Sequence, residues 1–110
     1  MKRLPDWQAR LSTWLGTVST RPMQPGQHDC CLFGAGAIEA QTGVDIAADW
    51  RGRYTTFAGG RRILRKAGFL DHVDLIARSL PEAHISAALE GDIAIVPGEA
   101  GDAVGVVQGA

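Results

Sequence analysis

The chain lacks any apolar run approaching the roughly 20 residues that a membrane span needs. It also lacks a charged-then-apolar leader, because Met1-Lys2-Arg3-Leu4-Pro5-Asp6 runs straight into an amphipathic segment. Net charge is nearly absent, with 11 Lys+Arg against 12 Asp+Glu. Bulk electrostatics therefore point to neither nucleic acid nor an anionic membrane. Cysteine is scarce, and the two present are neighbours, Cys30-Cys31. Adjacent thiols in a helical turn cannot reach bridge geometry, so a disulfide framework is excluded and both are read as reduced. His28, Cys30 and Cys31 supply soft ligands, but they are contiguous and no second Cys/His cluster exists, so no metal and no cofactor is expected. Internal repeats and low-complexity tracts are missing too. These absences leave one soluble domain over residues 1–110, made in the cytosol, with 45% apolar residues to build a single core.

The most informative stretch is His28-Asp29-Cys30-Cys31-Leu32-Phe33. Arg21-Pro22-Met23-Gln24-Pro25-Gly26-Gln27 before it predicts a loop. Asp29 then serves as an N-cap, a helix runs from Cys30 to about Thr42, and Gly43 stops it. Both cysteines fall in the first turn, where unpaired N–H groups and the helix dipole favour a thiolate. Cys30 is the candidate nucleophile. For Cys31, one position further round the helix, a buried structural thiol is the plain alternative. The small residues Gly34, Ala35, Gly36 and Ala37 let another element approach this helix closely.

In chain order, Asp6 can cap a first helix carrying Trp7, Leu11, Trp14, Leu15 and Val18 at helical spacing, a core-packing stripe. Val44 to Tyr54 reads as irregular. Thr55 or Thr56 caps a third helix with Ile63 and Leu64 as anchors and Gly68 past its end, weakened at its start by Gly59-Gly60. Arg61, Arg62, Arg65 and Lys66 make it basic, which reads as a solvated face with cations near the helix C-terminus. A fourth helix starts near Asp71, buries Val73, Leu75 and Ile76, and ends at Leu80-Pro81. Two β runs follow, Gly91 to Val96 and Ala103 to Val107, around a turn at Pro97–Asp102. Helices first and a small antiparallel sheet last predict an α+β fold. A lone hairpin makes a poor sheet, so either a partner supplies further strands or the domain lacks its last ones.

The order of these motifs carries a resemblance. Asp29-Cys30 opening a helix, Gly91-Asp92 opening a strand, and Ala103-Val104-Gly105-Val106 in the next strand resemble the NlpC-type papain-like cysteine peptidases, which cut peptide stems of bacterial cell walls. More closely, the chain is similar to a family of small phage and prophage proteins encoded among tail genes. There the Asp-Cys-Cys helix is followed by a segment like Trp50-Arg51-Gly52-Arg53-Tyr54-Thr55-Thr56. The resemblance spans about residues 24 to 109. It implies a truncated papain-like fold with the cysteine at a helix N-terminus.

It also implies where the machinery is incomplete. The general-base histidine of such peptidases would fall at Ala103, and the third polar residue would come from a strand after residue 110. A Cys–His pair needs the imidazole to take the thiol proton and later protonate the leaving amine. Of the remaining histidines, His28 is too close in sequence to face Cys30 easily, and His72 in a first helical turn reads as a surface residue. His84 is the weak candidate base. Two functions follow as expectations. One is a virion component, a phage tail tip or hub protein on a decayed peptidase scaffold with other tail proteins as partners. The other is a cysteine hydrolase acting on bacterial cell-wall peptide, with its base supplied by His84 or by another subunit. The Ala103–Val107 strand is expected to be covered by a partner, and a charge at Val106 to block that pairing without unfolding the helices.

Overall fold

The structure is a computed structural model that describes residues 2–82, 87–97 and 103–108. Four helices precede a two-stranded antiparallel sheet: α1 (Trp7–Val18), α2 (Cys30–Thr42), α3 (Phe57–Lys66), α4 (His72–Ser79), β1 (Ile93–Val96) and β2 (Ala103–Val106). The fold is α+β in the order the sequence predicts.

α1, α4 and β2 are all built on α2. The Asp29 carboxylate accepts from the Leu32 N–H, and Gly43 closes the helix in the left-handed region at φ 78°. Between these ends most side chains are buried and small. A Cβ on Gly36 would lie 2.5 Å from the Trp14 ring, and one on Gly34 would lie 2.8 Å from Ile76 and 3.1 Å from Val104. Those two positions let α1 dock on one side of α2 and let α4 and β2 dock on the other.

The α2 C-terminal end is fastened by Gln41. Its amide donates to the Gly91 carbonyl at 2.8 Å, its Oε1 accepts from Arg3 Nε, and its backbone carbonyl accepts from the Leu4 N–H. Arg3 continues the chain of contacts, pairing with Asp92 and stacking over Trp7. One buried amide thus joins the N-terminal segment, the central helix and the start of the sheet.

The β1–β2 register pairs Ile93 with Val106, Ala94 with Gly105, Ile95 with Val104 and Val96 with Ala103. The sheet begins at Ile93 rather than Gly91, because Gly91 takes φ 86° and gives its N–H to the Val107 carbonyl. Val107 in turn donates to Asp92. In an antiparallel ladder the bonding residues alternate. Gly105 and Ala103 therefore face β1, while the backbone groups of Val104 and Val106 point to the outer edge of β2. Among the described residues no strand pairs with that edge.

Several local expectations need correction. Asp6 precedes α1, but its side chain makes no capping bond: its backbone, at φ −103° and ψ 26°, lacks the extended form that Asp29, Thr56 and Asp71 take at the other three caps. For α3 one of the two expected caps is realised: Thr56 accepts from the Gly59 N–H. Val73 and His72 are half-buried rather than buried and surface-exposed respectively, because α4 packs through Leu75 and Ile76. Val106 shares the face of Val104, which meets α2, so a lysine there would drive a charge into the helix packing. A Cβ on Gly105 meets nothing within 4 Å, which makes Gly105 the position for a charge that leaves the packing intact. His84 and most of the Pro97–Asp102 turn lie outside the described residues.

Candidate functional site

The site begins with Asp29, only 3% exposed. Its Oδ1 accepts from the Leu32 N–H at 2.9 Å. Its Oδ2 accepts from the Gly26 N–H at 3.0 Å and from the Tyr54 hydroxyl at 2.5 Å. One carboxylate thus caps the helix, closes the preceding loop and holds a tyrosine 25 residues further on. The loops are also joined by the Gly52 N–H donating to the Gly26 carbonyl. Gly26 is at φ 84°, and a Cβ there would lie 1.9 Å from the Tyr54 carbonyl oxygen. The Tyr54 ring rests on Gly60, where a Cβ would come within 2.8 Å of it. Gly60 costs α3 helix propensity at its start, and the ring contact is what that residue allows.

A second brace sets the 45–54 segment. Arg51 holds Asp45 with a forked pair of bonds, Nε to Oδ2 at 2.6 Å and Nη2 to Oδ1 at 3.2 Å, and reaches Glu39 on α2. Burial pushes the Asp45 carboxyl up, but the Arg51 bonds and charge and the Ala47 N–H outweigh it and hold Asp45 below its ordinary value. This segment packs Ile46, Ala47 and Trp50 against Leu32 and Ala35 of α2.

The two thiols face different neighbours. Residues four apart share a helix face. Cys30 lies on the row of Gly34, toward β2 and α4, and Cys31 lies on the row of Ala35, toward the Arg51–Asp45 segment. Both are partly buried. Burial pushes the Cys31 thiol up to about 12, the Asp29 carboxylate adds to the rise, and Arg51 offsets only part of it. For Cys31 this favours the buried structural thiol over a helix-stabilised thiolate, because desolvation and a neighbouring carboxylate oppose the dipole. The Tyr54 phenol is likewise raised, by burial and then by donating to Asp29, and stays protonated.

A raised thiol pKa gives a defined pH dependence. Below the ordinary value of 9.0 both folded and unfolded chains hold the proton, so the contribution of Cys31 to stability is unchanged there. Above it the unfolded chain ionises first, and stability is lost as pH rises toward about 12. With iodoacetamide at about pH 8, Cys31 is expected to stay unmodified in the native protein and to label fully in denaturant, read by peptide mass spectrometry. Labelling of native Cys31 at the rate of a free thiol would contradict its placement.

Opposite Cys30 the geometry is plain. Val104 meets Gly34 toward the α2 N-terminus, and Gly91 with Val107 sits by Gln41 toward its C-terminus. β2 therefore runs parallel to α2, with Ala103 at the Cys30 end. Ala103 is exposed and brings a methyl group without acid–base capacity. His28 is turned edge-on to Phe33 with ring centroids 6.4 Å apart. It lines a groove of about 610 Å³ between α1 and α2 with Trp14, Arg10 and Gly36, which neither cysteine lines. Among the described residues no group of three or more His, Cys, Asp or Glu side chains is placed to hold a metal. Nor is any helix long and apolar enough to cross a membrane.

A family model described as a domain of unknown function, DUF6950, matches residues 2–110. The chain belongs to the DUF6950 family. No curated protein and no solved structure matches it. In this DUF6950 domain the residues that sequence reasoning missed are Gly26, Tyr54 and the Asp45–Arg51 pair. The available signals were Gly26 directly after Pro25, and a single tyrosine in an Arg-Gly-Arg-Tyr segment.

Proposed function

We propose that the protein is a phage tail component, at the tip or hub, built on a papain-like cysteine peptidase scaffold whose catalytic apparatus is incomplete. The observation that carries this reading is Ala103, a methyl group at the Cys30 end of β2 where a peptidase of that kind needs an imidazole. The raised Cys31 thiol supports it, since the second cysteine offers no substitute nucleophile. The helix-then-hairpin order and the docking of β2 on Gly34 are consistent with that scaffold. The working location is then the virion, after synthesis in the host cytoplasm, and the partners are other tail proteins. They bind at the outer edge of β2, where Val104 and Val106 present backbone groups with no strand alongside among the described residues.

A second reading has one observation in its favour. Cys30 opens a well-capped helix and is not fully buried. On this reading the protein is a cysteine hydrolase of peptidoglycan stem peptides that takes its base from His84 or from a neighbouring subunit.

The tail reading is tested in particles assembled by the genome that encodes the chain. Mass spectrometry of purified tails is expected to find the protein, and Gly105→Lys to remove it from particles while the soluble variant keeps its helical circular dichroism. Absence of the wild-type chain from tails, or full incorporation of Gly105→Lys, would count against this reading.

A further inference from the structure

Residues 50–70 hold six of the eleven Lys and Arg residues and none of the twelve Asp and Glu. Arg51 is engaged by Asp45. The other five, Arg53, Arg61, Arg62, Arg65 and Lys66, are exposed, and among the described residues none forms an ion pair. Cations in a last helical turn interact favourably with the dipole, which accounts for Arg65 and Lys66. It leaves Arg53, Arg61 and Arg62 without an account. It also leaves a cost, because Arg61–Arg65 and Arg62–Lys66 are like-charged pairs four residues apart, a spacing that destabilises a helix.

The arrangement on α3 is one-sided. Gly60 and Leu64 are buried, with Gly60 against the Tyr54 ring, while the basic residues occupy the opposite face. Phe57 stands one turn before Arg61 in the same row and is 59% exposed, and Leu70 beyond the helix is 69% exposed. A cationic row bordered by exposed apolar side chains is what a partner would cover.

We infer that the outer face of α3, with Arg53 and Phe57, is a docking surface for a protein segment rich in Asp and Glu. Charge complementarity sets the sign of the partner, and composition sets its class. Four of the five free cations are arginines, whose planar forks take carboxylates in pairs. Arginine and aromatic residues are enriched at protein interfaces, where lysine is depleted. A duplex would also extend past a helix about 15 Å long onto a remainder of the chain that is acidic, including the flanking Asp49 and Asp71. An acidic segment neutralises the two like-charged pairs and covers Phe57 in one contact.

The test uses the full chain and three labelled probes at matched salt: poly-L-glutamate, a short DNA duplex, and phosphatidylglycerol vesicles. Poly-L-glutamate is expected to bind most tightly by fluorescence anisotropy or cosedimentation, with affinity falling as salt rises from about 50 to about 200 mM. Arg61→Glu/Arg62→Glu is expected to lose about tenfold or more in affinity. Arg61→Gln/Arg62→Gln should also bind less while melting no lower than wild type, since it removes like-charge pairs. Tighter binding to DNA or vesicles, no binding to poly-L-glutamate, or undiminished binding by the charge-reversed variant would overturn the assignment.

Discussion

Asp29→Ala is expected to destabilise the protein by about 3 kcal/mol, a fall of roughly 12 °C in melting temperature for a domain of this size. The magnitude follows from what one carboxylate does. It caps α2 at the Leu32 N–H, satisfies the Gly26 N–H and receives the Tyr54 hydroxyl, all in a site that is nearly closed to water. Loss of a cap alone costs about 1 kcal/mol. The rest comes from leaving two donors in a buried site without their acceptor, at roughly 1–3 kcal/mol for such a group. Asp29→Asn keeps an acceptor oxygen for the Leu32 N–H and is expected to lose clearly less. Urea denaturation of both variants measures the difference. Equal losses would mean that the retained cap contributes nothing and that the bonds from Gly26 and Tyr54 carry the whole effect.

Gly26→Ala is expected to cost about as much, near 3 kcal/mol, although it deletes no side-chain group. At φ 84° a Cβ is strained by itself, and here it would also sit 1.9 Å from the Tyr54 carbonyl oxygen. The two loops would have to separate, breaking the bond from the Gly52 N–H to the Gly26 carbonyl at 2.8 Å. Gly68 provides the control. It has φ 98° with nothing within 4 Å of a Cβ, so Gly68→Ala should show only the backbone strain, about 1 kcal/mol. Comparable losses in the two variants would show that the Gly26 site can open without cost, against the close approach of the two loops.

These two residues also show where sequence reading reaches and where it stops. The span of α2 is legible because its signals are local: Asp29 before it, Gly43 after it, and nothing within to break it. The α3 and α4 caps are legible for the same reason, as Thr56 and Asp71 each stand three residues before the N–H they accept. Gly60 reads as a weakness in α3 because its justification, the Tyr54 ring, comes from outside the helix. The Tyr54–Asp29 bond crosses 25 residues of chain, and no spacing rule forecasts a partner across two irregular loops. Asp6 fails in the opposite way. The cap signal is present, but the Asp6 backbone is not in the extended form that aims a capping carboxylate at the first turn. The end of a helix by itself favours a thiolate in its first turn. At Cys31 burial and the capping carboxylate itself are stronger. The residue that makes the helix start recognisable thus helps to keep the second thiol protonated.

The proposed function requires that the chain keep a peptidase-like helix and hairpin without a working acid–base partner for Cys30. Release of new amino termini from purified peptidoglycan tests it most directly, with the full chain at high concentration and Cys30→Ala as the control. The expected result is no release by either protein. Release by the wild-type chain that Cys30→Ala abolishes would contradict the claim and establish a working base for Cys30 in place of Ala103.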